Sequence, residues 1–147
     1  MIQVGDKAPE FSATTQDGAT IRLADFVGKR NLVLFFYPKD GSPACTKEAC
    51  SFRDSYEQFA NAETEVVGVS SDSPESHRGF AERHKLPFRL ISDPKGELRK
   101  AFGVPKVLGL LPGRATFVID KDGMVRLSFS AQLASVEHVK RALEALK

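Results

Sequence analysis

Asn31-Leu-Val-Leu-Phe-Phe-Tyr37, running into Pro38-Lys-Asp-Gly-Ser-Pro-Ala-Cys-Thr-Lys-Glu-Ala-Cys50, is the stretch on which the fold turns. Its first half is continuously apolar rather than alternating, the pattern of a strand buried on both faces. Its second half begins with turn residues and reaches Ser42-Pro43, a helix start with a capping residue followed by proline at the first helical position. A buried strand feeding a helix through a short loop is the unit of an α/β protein.

The flanking sequence fits that architecture. Phe11–Thr15 and Thr20–Leu23 read as two strands around the Gln16-Asp-Gly turn, an N-terminal β-hairpin, and Leu23–Phe26 as one helical turn. Cys45–Ala62 is expected to be one helix, with Cys45, Ala49, Phe52, Tyr56 and Phe59 recurring at steps of three and four. Glu65–Ser70 is a second buried strand, and Ser73-Pro74 opens a helix through about His84. Phe88–Ser92 reads as a strand, Lys95–Phe102 as a helix stopped by Gly103, Ala115–Asp120 and Met124–Ser130 as a hairpin, and Val136–Leu146 as a closing amphipathic helix. Parallel crossovers followed by an antiparallel end predict a three-layer α/β sandwich: a thioredoxin-like core with a mixed central sheet and an N-terminal β extension. The 147 residues suit a single domain, 1–147.

Composition narrows the classes of function. Twenty-one basic against 19 acidic residues leave +2, too little to argue for nucleic acid or an acidic membrane surface. No apolar run approaches the ~18 residues that a membrane span needs. The polar opening Met1–Lys7 lacks the layout of a secretory signal, so a cytoplasmic protein is expected. There a cysteine pair is more naturally catalytic or redox-sensing than a structural disulfide.

The chain has two cysteines, Cys45 and Cys50. With Ser42 as N-cap, Cys45 falls at the third helical position, where unpaired backbone N–H groups favour a thiolate. Cys50 lies off the apolar stripe, on the face of Lys47, Asp54 and Glu57. Helical rise and rotation separate the two Cα atoms by roughly 8–9 Å. A disulfide needs about 7 Å or less, so any bridge between them requires the first turns to unwind. Two inert core thiols are the plain alternative for this pair. A zinc site is poorly supported: Cys-x4-Cys supplies two ligands, and His77, His84 and His138 form no matching cluster. Each histidine lies in a polar helical stretch and reads as a surface residue. Two other functions share the proposed core. A protein thiol–disulfide oxidoreductase normally carries Cys-x-x-Cys, and a redox sensor uses the disulfide only as a switch.

Tyr37-Pro-Lys-Asp-x-Ser-Pro-x-Cys-Thr-x-Glu-x-Cys-x-Phe-Arg-Asp54 resembles the active-site signature of the peroxiredoxins, in particular the bacterioferritin-comigratory or Q-type group. The later Pro112-Gly-Arg-Ala-Thr-Phe-Val-Ile-Asp-Lys-Asp-Gly123 resembles the segment that carries the family's active-site arginine, here Arg114. The resemblance implies a thiol-dependent peroxidase. The Cys45 thiolate attacks a hydroperoxide and becomes a sulfenic acid, Cys50 condenses with it to a disulfide, and a thioredoxin-like dithiol restores both thiols. It implies no cofactor or metal, and a monomer. By the same resemblance Arg114 and Ser42 contact the peroxide, Pro38 shapes and shields the pocket, and Glu48 orients an arginine. Each has an ordinary reading too: Ser42 as N-cap, Arg114 as a solvated strand end, Glu48 as a first-turn acid, Pro38 as a strand stop. Two positions depart from the family pattern: Ser42 stands where threonine is usual and Ala44 where glycine is common. The loop Gly103–Gly113 is apolar, and is expected either to cover the core or to form an exposed patch beside the site.

Overall fold

A computed structural model describes residues 1–107, 111–132 and 134–147. The central strand β3 (Asn31–Phe36) is paired on both sides. It runs parallel to β4 (Thr64–Ser70) and antiparallel to β8 (Ala115–Ile119). Beyond β4 lies β5 (Arg89–Ser92), parallel to it; beyond β8 lies β9 (Val125–Ser130), antiparallel. The hairpin of β1 (Ser12–Thr15) and β2 (Thr20–Arg22) adds to the free edge of β5. The sheet therefore runs β2-β1-β5-β4-β3-β8-β9, a mixed thioredoxin-like sheet with the expected N-terminal extension.

Side-chain alternation along β3 explains its unbroken apolar sequence. Leu32, Leu34 and Phe36 enter a core layer with Ile21, Phe26, Phe102 and Phe117. Val33, Phe35 and Tyr37 enter the layer on the opposite face, with Cys45, Phe52, Phe59 and Phe80. That second layer is roofed by α1 (Pro43–Asp54), α2 (Tyr56–Asn61), α3 (Pro74–His84) and α5 (Ser135–Ala145), while α4 (Glu97–Phe102) supplies Leu98 and Phe102 to the first. At Gly68, in the middle of β4, a Cβ would stand 2.8 Å from both Phe35 and Leu90, so the sheet passes under Phe35 only because the residue is glycine.

Three expectations need correction. The helix predicted over Cys45–Ala62 is two: α1 ends at Asp54, Ser55 leaves helical geometry (φ −102°, ψ 7°), and α2 restarts at Tyr56. The apolar period crosses the break because Cys45, Ala49, Phe52 and Phe59 all stay buried. Within Gly103–Gly113, Lys106–Val107 (β6) pairs antiparallel with Leu111–Pro112 (β7), so part of that loop is a small ribbon. Leu108, Gly109 and Leu110, on which the expectation of an apolar patch largely rests, lie outside the described residues. The third correction concerns the histidines: His77 and His138 are fully buried, and His84 is half-buried.

Candidate active site

The site grows from the first turn of α1. Ser42 is extended (φ −68°, ψ 149°), Pro43 takes the first helical position, and the first helical bond is Thr46 N–H to the Ser42 carbonyl, 2.9 Å. Cys45 thus sits third in the helix, where its amide has no carbonyl to meet inside the helix. The Ser42 side chain does not cap. Its hydroxyl donates to the Lys39 carbonyl instead, 3.1 Å, and ties the Pro38–Ser42 loop together. The capping role expected of this serine belongs to its backbone alone. Pro38 is half-buried, directly after β3.

Cys45 is 1% exposed and both cysteines are free thiols. Its sulfur faces Arg114, which enters from the segment leading into β8 and is itself buried. The guanidinium serves three acceptors: Nη2 donates to Cys45 Sγ (3.2 Å), Nη1 to Glu48 Oε1 (2.8 Å) and Nε to the Gln132 carbonyl (3.1 Å). Arg114 is therefore no solvated strand end, and the arginine that Glu48 meets is this one. Burial pulls the Arg114 pKa down, but Glu48 and the Cys45 sulfur outweigh it and the net direction is up. Gly113, just before Arg114, packs so closely on the Pro105 carbonyl oxygen that a Cβ there would collide with it.

Behind Glu48 lies a group that sequence reasoning did not find. His138, on α5, directs Nε2 at the Ala131 carbonyl (2.8 Å) and Nδ1 at the Thr116 hydroxyl (2.8 Å). The second carboxyl oxygen of Glu48, Oε2, is 3.5 Å from the same Nδ1 and has no hydrogen-bond partner among the described residues. Burial pushes the Glu48 carboxyl up to about 7 against the pull of Arg114. Burial likewise pulls His138 down to about 4, with Arg114 adding to the effect against the Ala131 carbonyl. A signal for His138 did exist. Ser135, His138, Val139 and Ala142 are the buried residues of α5, and their spacing is that of one helix face.

A second arginine, this one unforeseen, completes the frame. Arg99, on α4, donates to the carbonyls of Gly113 (2.6 Å) and Tyr37 (3.2 Å). It thereby joins the residue before Arg114 to the residue before Pro38. Its pKa is lowered by burial, with Asp93 and Cys45 opposing. No local motif marks it. On the far side of the loop, Asp40 accepts from Tyr37 Oη (2.6 Å) and Ser76 Oγ (2.8 Å) and faces His77 Nδ1 (2.7 Å). Its backbone N–H donates to Asp72 (2.8 Å). Burial raises the Asp40 pKa, but the bonds from His77 and Tyr37 prevail and lower it overall. Asp40, Asp72 and His77 place three potential metal ligands within 4.8 Å. Both Asp40 oxygens and Asp72 Oδ2 already take hydrogen bonds from the protein, so the arrangement reads as a strut holding the active-site loop to α3 and β4.

Cys50 is half-buried on the same continuous helix, so the roughly 8–9 Å separation expected from helical geometry holds. What the arrangement can do chemically is hold a desolvated sulfur anion against a fixed cation, with a second thiol out of bonding reach.

Comparison with known proteins agrees with this geometry. A model of the AhpC/TSA family matches residues 4–128. The chain is 47% identical over 147 residues to the chloroplastic peroxiredoxin Q of Populus jackii, covering 99% of this chain and 68% of the relative. Among solved structures it is similar to the peroxidoxin BcpB of Mycobacterium tuberculosis, with a TM-score of 0.91, 37% identity, and 99% and 97% of the two chains covered. It is also similar to the bacterioferritin comigratory protein of Xanthomonas campestris, whose alkyl peroxide reduction activity has been studied, with a TM-score of 0.83, 30% identity, and 93% and 92% covered.

Proposed function

Since this chain belongs to the AhpC/TSA family and is a thiol-dependent peroxidase of the peroxiredoxin Q type, we propose that its catalytic cycle is divided between Cys45 and Cys50. The Cys45 thiolate attacks the terminal oxygen of a hydroperoxide. The O–O bond breaks, RO⁻ leaves and takes up a proton, and Cys45 becomes a sulfenic acid. Local unwinding of α1 then brings Cys50 to that sulfur. A disulfide forms and the sulfenic oxygen departs as water. A thioredoxin-like dithiol reduces the bridge by exchange.

The observation that carries this assignment is the Arg114 fork, with Cys45 Sγ at 3.2 Å on one tine and Glu48 at 2.8 Å on the other. It provides a charge-assisted donor for the thiolate where the α1 amides also point. Ser42 presents its hydroxyl oxygen to the peroxide while its proton is held by Lys39, and Pro38 walls the entrance. Hydrogen peroxide and organic hydroperoxides are the substrate class; the alkyl peroxide activity studied in the Xanthomonas relative supports the organic branch.

Stopped-flow reaction with peroxide tests the division of labour. Cys45→Ser is expected to be inert, and Cys50→Ser to react once and accumulate sulfenic acid. Full single-turnover reactivity in Cys45→Ser sinks the assignment. Three coarser readings belong to the same proposal. Two core layers on one continuous sheet support a single domain, which limited proteolysis checks. A monomer is supported by the Q-type resemblance, and sedimentation decides it. Cytoplasmic residence is supported by a cycling cysteine pair, which needs a reducing compartment, and cell fractionation decides it.

A further inference from the structure

The buried carboxyl of Glu48 faces two ways, and only one side has a partner. Oε1 takes the Arg114 hydrogen bond, while Oε2 points toward His138 Nδ1 at 3.5 Å. The proton on the His138 ring is placed by its other nitrogen. Nε2 faces the Ala131 carbonyl, which only an N–H can satisfy, so in the neutral ring Nδ1 is an acceptor. The Thr116 hydroxyl, at 2.8 Å, takes that lone pair, so among the described residues nothing donates to Oε2. An ionised Glu48 would then leave a bare carboxylate oxygen buried, with the Glu48 and His138 side chains both 0% exposed. A protonated Glu48 places no charge there.

The charges around Glu48 give this proton a consequence. From α1 itself comes Cys45; from the segment entering β8 come Arg114 and the neutral Thr116; from α5 comes His138, which also feels Glu137. Arg114 is thus the one cation bonded to Glu48 among the described residues, and it shares its fork with the Cys45 sulfur. With Cys45 as thiolate and Glu48 ionised, two buried anions would compete for one guanidinium. With Glu48 protonated, the Cys45–Arg114–Glu48 group is neutral, and Arg99, which also feels Cys45, is matched by Asp93.

We propose that Glu48 carries a proton while Cys45 is a thiolate and gives it up when Cys45 becomes a sulfenic acid, keeping the buried site around Arg114 electrically neutral throughout. The inference rests on Cys45 being the peroxidatic thiol. The step balances: Cys45–S⁻ + ROOH + Glu48–COOH yields Cys45–SOH + ROH + Glu48–COO⁻. Sulfur is oxidised, the peroxide oxygen is reduced, and the proton lost by Glu48 equals the one gained by the departing RO⁻. The anion on one tine of the Arg114 fork is replaced by an anion on the other. The burial that pushes Glu48 up and His138 down agrees with this placement of the proton. His138 is a positioning residue here: with its N–H turned to Ala131 it presents no donor to Oε2.

The test is infrared difference spectroscopy on the Cys50→Ser protein, which stops at the sulfenic acid, recorded between reduced and oxidised states below pH 7. The expected result is loss of one protonated-carboxyl C=O band on oxidation, shifted by ¹³C-glutamate labelling and absent when Glu48→Gln is added. A pH indicator in weak buffer gives a second reading: with Glu48 present, up to one more proton is released per sulfenic acid than with Glu48→Gln, compared where Cys45 starts in the same protonation state in both proteins. Sulfenic acid formation with no carboxyl band lost, in the protein that retains Glu48, overturns the proposal. Absence of sulfenic acid altogether overturns the peroxidatic assignment instead, so the two failures are distinct.

Discussion

Arg114 divides its guanidinium among a sulfur, a carboxyl and a carbonyl, each within hydrogen-bond distance and the first two buried. A lysine in its place keeps the charge but has a single nitrogen, which cannot stand within reach of Cys45, Glu48 and Gln132 at once as the three nitrogens of the fork do. Losing a charge-assisted bond to Cys45 costs about 2 kcal/mol, which converts to about 30-fold in the rate of sulfenic acid formation for Arg114→Lys. Stopped-flow measurement of the first step reads this directly. The Glu48–His138 pair makes a prediction about stability. Glu48 is raised from 4.5 to about 7, so its contribution is fully present below pH 4.5 and is lost as pH rises to 7. His138 is lowered from 6.5 to about 4, so its native state binds fewer protons and stability rises with pH between 4 and 6.5. Between pH 4.5 and 6.5 the two slopes oppose, and the pair adds almost no pH dependence. Glu48→Gln is expected to expose a rising slope approaching about 1.4 kcal/mol per pH unit, and His138→Asn a falling one of similar size. Urea midpoints across this range measure both. Equal slopes in the parent and the two variants would contradict the assignment.

Helix α1 is both the support of the Cys45 thiolate and the obstacle to its resolution. Its first turn holds the sulfur at Arg114, and Ser135 Oγ of α5 donates to the Ala44 carbonyl (3.0 Å), so the turn is pinned from outside as well. Cys50 reaches Cys45 only when these turns open. Weakening the helix without touching the site should therefore speed the second step alone. Lys47 is exposed and lies between the cysteines. Lys47→Gly costs the helix about 1 kcal/mol, so disulfide formation is expected to accelerate about fivefold. The rate of sulfenic acid formation serves as the internal control. A disulfide step no faster than that of the parent would show that closure does not pass through unwinding of this segment.

In the whole molecule, the site lies where three layers meet: sheet from β3 and β8, roof from α1 and α5, and the Arg99 clamp from the opposite side of the sheet. Unwinding α1 withdraws Cys45 and Ala49 from a core layer and separates Cys45 from Arg114. The short loop closed by a Cys45–Cys50 bridge constrains the unfolded chain by about 2 kcal/mol. Withdrawing Cys45 leaves a cavity in the core, and opening the first turns of α1 gives up several hydrogen bonds worth about 1 kcal/mol each. The loss is larger, so the disulfide form is expected to melt below the dithiol form, opposite to a structural disulfide. Calorimetry of the two forms decides the sign.

Much was legible from local pattern because the causes were local. The apolar run Asn31–Tyr37 specifies a strand buried on both faces, Ser42-Pro43 specifies a helix start, and the cysteine spacing specifies that the helix must open. Those readings depend on alternation, caps and helical rise, which act over a few residues. The break at Ser55 escaped because the buried positions stay in step across it. The polar neighbours of His138 and His77 point to surface positions, yet each occupies the buried face of its helix. Arg99 and His138 reach the site only through tertiary contact, 54 and 93 residues along the chain from Cys45. The sequence by itself determined which thiol is placed for activation and which must wait. Only the tertiary structure decided what surrounds that thiol, because burial and charge at one point are set by every element that packs there.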